Sequence, residues 1–308
     1  MRPSANWQYL LLSQIVRGTF LMHPRIALSL GAHVHRILDA DNQLPETSER
    51  APFSHTVISG EGISFQVGST NSPDNYDNIP EDSTAIFSIH GSMLKYGTWC
   101  DYGTQEIAGF MLSAVNHKNI GSIVMDIDSG GGSVSAIPPL SQVIGLARSL
   151  NKPVVSSVDL CCSAALWIAA DSDRIIANNK VSAEIGSIGV MISFWDMVPH
   201  YEAEGFKFHS IYSTHSGDKN KEFELALQGK YDLIKELTLD PLALQFQQHI
   251  RERRADKLDE SVKGIMTGRT FFAEDSLKYG LIDEIGDIDL AIERAQQLAQ
   301  TRKFLSTK

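Results

Sequence analysis

The chain has 308 residues, of which 43% are hydrophobic and 21% charged; this is a globular composition, and it excludes disordered and fibrous classes. Its 37 acidic residues outnumber 27 lysines and arginines, which gives a formal net charge of −10. A broad basic surface for nucleic acid is therefore not expected.

Cysteine usage and hydropathy indicate the compartment. Cys100, Cys161 and Cys162 are too few for a disulfide framework, and two of them are adjacent, which favours a reducing environment. No apolar run approaches the roughly 18 residues of a membrane-spanning helix, and the N-terminus lacks the apolar stretch of a secretory signal. We expect a cytoplasmic protein without a transmembrane segment.

Composition along the chain predicts three regions. Residues 1–40 carry apolar residues with helical spacing and are predicted to form an N-terminal helical arm. Residues 41–82 are polar and rich in turn formers, which predicts a linker. Regular alternation of strands and helices follows, so residues 83–302 are predicted to form the main domain.

The alternation predicts an α/β domain with parallel strands and right-handed crossover helices. The predicted buried strands cover residues 85–89, 120–127, 153–158 and 174–177. The predicted helices lie around 107–115, 140–147, 163–170, 222–256 with a break near Pro241, and 287–302.

Three glycines follow the second predicted strand and are a candidate oxyanion site. Gly130, Gly131 and Gly132 come directly after Asp128-Ser129, and glycines let backbone amides converge on an anion without obstruction by Cβ atoms. One such donor typically contributes about 3–4 kcal/mol to transition-state stabilisation. A tight turn that requires positive φ explains the same run. A nucleotide-binding loop does not, because its lysine and glycine spacings are absent.

Ser163 is the candidate nucleophile. It stands between the third predicted strand and a helix of small residues, where the helix dipole and the amide of Ala164 can stabilise negative charge. An ordinary N-cap serine would occupy the same place. Cys162 is a rival nucleophile, although no Cys/His motif that would acidify its thiol is visible.

The candidate bases are histidines and lysines. Isolated histidines are mostly structural or exposed; those in this region are His90, His200, His209 and His215. The polar segment 210–221 carries Lys219 and Lys221. A neutral lysine base needs a pKa lowered from about 10.4 to about 7, which requires burial worth roughly 4–5 kcal/mol. A lysine in such a loop is otherwise simply solvated.

The order of several motifs resembles peptidase family S49, which includes signal peptide peptidase A and phage head maturation proteases. The motifs are Asp128-Ser129-Gly130-Gly131-Gly132, Ser163-Ala164-Ala165-Leu166-Trp167, Gly186-Ser187-Ile188-Gly189-Val190, a lysine loop, Thr267-Gly268-Arg269-Thr270-Phe271 and Gly280-Leu281-Ile282-Asp283-Glu284-Ile285-Gly286. Together they cover roughly residues 84–290.

The resemblance implies a ClpP/crotonase-like α/β fold and a serine endopeptidase with a Ser-Lys dyad. Ser163 falls at the family's nucleophile. Its base lies in a loop often written Ser-Gly-x-x-Lys, so Lys219 is the first choice and Lys221 the second. No cofactor, metal or nucleotide is implied.

The resemblance also assigns the oxyanion donors. The amide of Gly131 is preferred, together with that of Ala164 and the neighbouring Gly130 and Gly132. Two features depart from the family pattern: Gly130 replaces a proline, and the lysine loop has two lysines without a following Asp-Gly or Pro.

The partners follow from the same resemblance. The expected substrate is a polypeptide, such as a capsid scaffold or portal-associated protein cleaved by a phage- or prophage-type maturation protease. A soluble signal-peptide-peptidase-like protease is the second interpretation. A homo-oligomer is expected, with the apolar faces of residues 1–40 and 222–256 as contact surfaces. A phage-encoded protein would act in the bacterial host cytoplasm or the virion.

Three alternatives stay open from sequence. A crotonase-like acyl-CoA enzyme would share the strand-end glycine turn but need no essential serine. A catalytically inactive relative would act as a scaffold or assembly partner. A Ser-His dyad that uses His215 would follow a pKa near 6.5 instead of a lowered lysine value.

Overall fold

The computed structural model describes residues 20–22, 53–68, 76–98, 101–194, 196, 198–207 and 209–306. The strands in these ranges are β1 (Phe20–Met22), β2 (His55–Ile58), β3 (Ser64–Val67), β4 (Ser83–His90), β5 (Ile120–Ser129), β6 (Gly131–Ser133), β7 (Val154–Cys162), β8 (Arg174–Ala177), β9 (Glu184–Gly186), β10 (Thr270–Phe272) and β11 (Glu284–Ile285). The α-helices are α1 (Thr104–Asn116), α2 (Ile137–Ser149), α3 (Ala164–Ala170), α4 (Val198–Ala203), α5 (Lys221–Leu227), α6 (Asp232–Ile234), α7 (Asp240–Arg254), α8 (Ala273–Lys278) and α9 (Ile288–Ser306).

A nine-stranded mixed sheet forms the centre of the described molecule. Its order is β10-β9-β7-β5-β4-β2-β3, with β8 beside β7 and β11 beside β8. The strands β4, β5, β7, β8 and β9 pair in parallel, whereas β2, β3 and β10 join antiparallel at the edges. The predicted α/β class with parallel strands and crossover helices is confirmed.

Helices cover both faces of the sheet, which explains why the central strands are apolar on both sides. The helices α1 and α2 bury one face each against the main core, through residues at helical spacing: Ile107, Met111, Ala114, Leu140, Val143 and Ile144. On the opposite face, α9 packs its residues Ala291, Ile292 and Ala295 against Val124, Val155 and Ile176.

Residues 53–68 correct the prediction of a linker over 41–82. They form the hairpin β2–β3, and β2 pairs with β4, so the sheet extends beyond the predicted boundary at residue 83. Inward-facing His55 and Val57 are buried, and the Phe53 ring stacks on Phe110 with 4.1 Å between ring centroids. Short strands in a polar, turn-rich stretch give a weak sequence signal, because burial alternates along only four residues.

Residues 20–22 differ from the predicted helical arm, because they form a strand paired antiparallel with Gly131–Ser133. The backbone edge of β6 supplies the strand's hydrogen-bond partners, which apolar spacing alone does not reveal. The rest of the predicted arm at 1–40 lies outside the described residues.

The predicted charged helical stretch is confirmed as α5, α6 and α7. Pro241 stands in the first turn of α7, where proline is tolerated, and a π-helical segment, Lys235–Leu239, precedes it. Across the described ranges, we find no helix with the length and apolarity needed to span a bilayer.

Candidate active site

The glycine turn begins where β5 ends. Ser129 Oγ donates a hydrogen bond to the carbonyl of Gly91 (2.5 Å) and accepts one from the amide of Gly131 (3.2 Å). Gly131 has φ +95°, a conformation that other L residues rarely adopt. The amide predicted to hold an oxyanion therefore points at the Ser129 hydroxyl, at a distance near the long end of hydrogen bonding.

Gly132 lies directly against the backbone of Met93. The Met93 amide donates to the carbonyl of Gly131 (2.9 Å), and the Ser133 amide donates to the carbonyl of Met93 (2.9 Å). A Cβ at Gly132 would overlap the Met93 carbonyl oxygen. Glycine is thus required for two separate reasons: a positive φ at Gly131 and a close backbone approach at Gly132. Gly130, which lies between β5 and β6, is buried.

Ser163 joins β7 to α3 with a strained backbone. Its φ is 60° and its ψ −120°. Its amide donates to the carbonyl of Gly186 (2.9 Å), and its carbonyl accepts from the amide of Trp167 (3.0 Å). Non-glycine residues held in such sparsely populated conformations cost of order 1–3 kcal/mol and cluster at functional sites.

The hydroxyl of Ser163 is buried and has no protein partner. The residue is 1% exposed, and its Oγ hydrogen-bonds no atom of the described residues. It caps no amide of α3, so the alternative of an ordinary N-cap serine does not describe its side chain. An unsatisfied buried hydroxyl costs about 1–3 kcal/mol, and one next to a strained backbone indicates a reactive or ligand-binding role.

Strand register brings the serine beside the glycine turn. Ser129, the last residue of β5, is the partner of Cys161 in β7; the chain continues from Ser129 to Gly131 in β6 and from Cys161 to Ser163, just after the end of β7. The helix α3, which begins at Ala164, contacts β6. The structure therefore brings the predicted nucleophile and the predicted oxyanion turn together at the carboxyl ends of adjacent strands, where α/β sheets bind their ligands.

Gly186 and Ser187 form a second turn beside Ser163, a role that the sequence did not reveal. Gly186 has φ +134°, and Ser187, although not glycine, has φ 57° and is 7% exposed. The Ser187 amide donates to the carbonyl of Arg269 (3.0 Å). Two of the quoted motifs thus meet through backbone contacts behind Ser163. The sequence feature that could have indicated this turn is the glycine-serine pair at the end of a short strand.

The two cysteines next to Ser163 are unsuited to nucleophilic attack. Burial, and then the charge of Glu184, raises the pKa of the Cys162 thiol far above its usual range. Burial likewise raises the pKa of Cys161. Since the thiolate is the reactive form, this argues against Cys162 as the rival nucleophile.

Lys219 and Lys221 lie on an exposed segment. Lys221 Nζ is 3.3 Å from Asp218 Oδ1, and its side chain is 52% exposed. Within the part of the chain that the structure describes, Ser163 Oγ hydrogen-bonds neither lysine. The described residues therefore contain no hydrogen bond between Ser163 Oγ and a lysine, and the Ser-Lys dyad stays a prediction.

The four histidines considered as bases also lack a hydrogen bond to Ser163 Oγ in the described residues. His90 Nε2 pairs with Asp126 Oδ2 (3.1 Å), and this hydrogen bond raises the pKa of His90. His200 contacts Glu204 at 3.5 Å. His209 and His215 lie on the exposed segment before the lysines.

Contacts from α7 and α2 hold α3 in place, chiefly at its C-terminal end. Asp171 Oδ1 is 2.9 Å from Arg253 Nε, and Asp171 Oδ2 accepts a hydrogen bond from Ser141 Oγ (2.7 Å). The Trp167 ring stacks on His249 with 4.8 Å between ring centroids. These contacts fix the helix whose first residue follows Ser163. No three His, Cys, Asp or Glu side chains among the described residues are grouped so that they could hold a metal ion.

Several known proteases are similar to this chain. It is 24% identical over 247 residues to Protease 4 of Haemophilus influenzae, which covers 78% of this chain and 39% of that protein. It is 28% identical over 236 residues to the chloroplastic serine protease SPPA of Arabidopsis thaliana, and this match covers 71% of this chain and 32% of that protein. It is 25% identical over 142 residues to capsid assembly protease C of Escherichia phage lambda, and this match covers 44% of this chain and 32% of that protein. The chain spans 32–39% of the length of these relatives.

Two solved structures align at low scores. The membrane-bound stomatin-specific protease 1510-N aligns at 16% identity with 66% of this chain and 78% of its own, with a TM-score of 0.35. An enoyl-CoA hydratase/isomerase family member aligns at 16% identity with 83% of this chain and 78% of its own, with a TM-score of 0.41. Both TM-scores are below 0.5, so the assignment of the α/β class is based on the strand pairing of the sheet itself.

The family model gives the assignment. The model of peptidase family S49 matches residues 147–302, just over half of the chain. The matched range contains Ser163, the turn at Gly186 and the lysine segment, whereas the glycine turn at 130–132 precedes it. By this match and by the motifs that converge on Ser163, the chain belongs to peptidase family S49.

Proposed function

We propose that this chain is a serine endopeptidase in which Ser163 is the nucleophile and a lysine of the segment 216–221 is the base. The observation that carries the proposal is Ser163 itself, whose buried, unpartnered hydroxyl sits on a strained backbone beside the glycine turn. Membership of a peptidase family supports the same chemistry.

In the proposed reaction, a neutral lysine amine takes the hydroxyl proton while Ser163 Oγ bonds to the carbonyl carbon of a peptide. The amides of Gly131 and Ala164 hold the negative charge that develops on the carbonyl oxygen. The C–N bond then breaks, and the lysine returns its proton to the leaving amine. Water hydrolyses the acyl-enzyme and restores the hydroxyl.

Lys219 is the first choice for the base and Lys221 the second. Lys221 is already engaged by Asp218, which favours Lys219. Both lysines are exposed in the single chain, yet a neutral lysine requires burial. We propose that a second copy of the chain supplies this burial in a homo-oligomer.

Exposed apolar side chains around the lysine segment support this homo-oligomer. Large apolar residues normally avoid such exposure in groups unless they meet a partner. The exposed members near the segment in sequence are Phe206 (60% exposed), Ile211 (94%), Tyr231 (50%), Leu237 (55%) and Leu244 (62%).

The proposed substrate is a capsid scaffold or portal-associated polypeptide of a phage or prophage. A relative named capsid assembly protease supports this role. The relative named Protease 4 supports the second candidate, a signal-peptide-peptidase-like protease. Both roles need the same serine, so they differ only in the polypeptide that is cleaved.

Cleavage of casein and of candidate capsid proteins tests the proposal. Ser163→Ala is expected to lower turnover by about a thousandfold or more, because the nucleophile is removed. Ser157→Ala is the matched control, since Ser157 is also a buried serine of β7 whose Oγ has no described partner. Full turnover in Ser163→Ala, with products identified by mass spectrometry, would refute the assignment.

The acyl-CoA enzyme and the inactive scaffold relative make predictions that differ from those of the proposed peptidase. An acyl-CoA enzyme would bind acyl-CoA in a calorimeter and tolerate Ser163→Ala. An inactive scaffold relative would leave Ser163 unlabelled by a serine-directed acylating probe.

A further inference from the structure

One backbone edge of β6 faces away from Met93. The carbonyl of Gly131 and the amide of Ser133 both bond to Met93. Because backbone groups alternate between the two edges along a strand, the amide and carbonyl of Gly132 point to the opposite edge. This edge at Gly132, one residue after the preferred oxyanion donor Gly131, is where an extended peptide can add as a strand.

The strand β1 occupies that edge in this chain. Met22 lies opposite Gly131, Leu21 opposite Gly132 and Phe20 opposite Ser133, in antiparallel register. Leu21 therefore presents its amide and carbonyl to those of Gly132. The pair β1–β6 forms a two-stranded sheet separate from the nine-stranded one, so the large sheet does not require β1.

The strand β1 runs in the direction expected for a substrate peptide whose scissile carbonyl is attacked by Ser163. In the antiparallel register, β1 runs from Ser133 towards Gly131, whose amide is the preferred oxyanion donor. A substrate whose scissile carbonyl meets the Gly131 amide would lay its preceding residues along β6 in the same direction. Main-chain pairing depends little on side chains, so it suits polypeptides of varied sequence.

We infer that Phe20–Met22 blocks the outer edge of β6 as an internal occupant, which an extended substrate must displace before it can pair there. The inference rests on the proposed function. The burial of Ser163, which is 1% exposed, agrees with a site that is closed while β1 is in place.

Two substitutions at one position test the inference in the full chain. Leu21→Pro removes the amide that faces Gly132, whereas Leu21→Ala keeps it and serves as the matched control. Both are made in the Ser163→Ala background, so that binding is measured without cleavage. The probe is a fluorescent synthetic peptide with the sequence of residues 17–25, and its affinity is measured by fluorescence anisotropy. Thermal unfolding verifies that both variants fold.

Leu21→Pro is expected to bind the peptide about tenfold more tightly than Leu21→Ala, because the internal competitor loses the backbone hydrogen bond that the Leu21 amide donates. Equal affinities would overturn the inference. Casein cleavage by the same variants with Ser163 restored separates the two claims. If affinity rises but no variant cleaves, the proposed function fails and the inference stands. If all variants cleave equally and affinity is unchanged, the inference fails and the proposed function stands.

Discussion

At the residue scale, Gly132 leaves no room for an added methyl group. In Gly132→Ala, the Cβ would overlap the Met93 carbonyl oxygen and push β6 away from the turn. We expect a loss of about 1–3 kcal/mol in the free energy of unfolding, as in overpacked cores, together with loss of casein cleavage. Urea denaturation and the cleavage assay measure the two effects.

The matched control for that substitution is Gly145→Ala. Gly145 lies in α2, and a Cβ there meets nothing within 4 Å. Alanine replaces glycine in a helix interior with a gain of about 0.5–1 kcal/mol, so this variant should be slightly more stable and fully active. An active Gly132→Ala protein with parental stability would show that the close approach to Met93 is not required.

His55 predicts a pH dependence of stability. Burial lowers the pKa of His55 from 6.5 to about 4, so the folded state resists its protonation. The stability contributed by the neutral ring is present above pH 6.5 and is lost as the pH falls towards 4. The full loss is about 3 kcal/mol.

Urea denaturation between pH 7.5 and pH 4 measures this loss, and the variant His55→Phe should remove it from the profile. His209→Gln is the control, because His209 lies exposed on the surface. Identical pH profiles for the parent and His55→Phe would contradict the assignment.

The candidate nucleophile could be chosen from the sequence, but the strained backbone and buried hydroxyl of that residue could not be predicted. A serine between a strand and a small-residue helix identified Ser163. Its positive φ and unpartnered hydroxyl arise from tertiary contacts, chiefly its bond to the Gly186 carbonyl. The base could not be identified, because neither the sequence nor one chain shows a candidate lysine with the burial that a neutral lysine base would need.

At the scale of elements, a buried carboxylate ties α7 to the sheet. Asp283 and Arg254 are 3% and 5% exposed at their side chains, with an N–O distance of 3.0 Å. Burial raises the pKa of Asp283, but the hydrogen bonds and charge of Arg254, with a smaller effect of Lys257, outweigh it and lower the pKa to about 2. Asp283 also accepts the amide of Ile175 in β8.

Removal of Arg254 should therefore cost far more than removal of Lys257. Arg254→Met leaves Asp283 without its buried partner, and we expect a loss of about 3–5 kcal/mol in the free energy of unfolding. Lys257→Met is the matched control; the lysine side chain is 56% exposed, so the expected loss is below about 1 kcal/mol. Equal losses in urea denaturation would contradict this account.

The buried strands of the parallel core were predicted well, and the antiparallel strands at the sheet edge were not. The predicted strand at 174–177 coincides with β8, and the prediction at 120–127 falls short of β5 by only two residues. The hairpin at 53–68 was assigned to a linker, because its stability comes from pairing with β4, a contact distant in sequence. The strand β1 was missed for the same reason.

At the scale of the whole molecule, the exposed lysine segment predicts that two copies complete one site. Ser163→Ala and Lys219→Ala proteins should each be inactive towards casein. Mixing them under conditions that allow subunit exchange should restore part of the activity, because one copy contributes the serine and the other the lysine. Light scattering should show an oligomer for each protein. A mixture of exchanging oligomers that stays inactive would indicate that serine and lysine come from the same chain.

The central claim is that the Ser163 hydroxyl is an activated nucleophile. The most direct test is mass spectrometry of the chain after reaction with a serine-directed acylating probe. We predict one adduct that maps to Ser163, formed in Ser157→Ala as in the parent and absent from Ser163→Ala. Casein cleavage that persists while Ser163 remains unlabelled would contradict the claim.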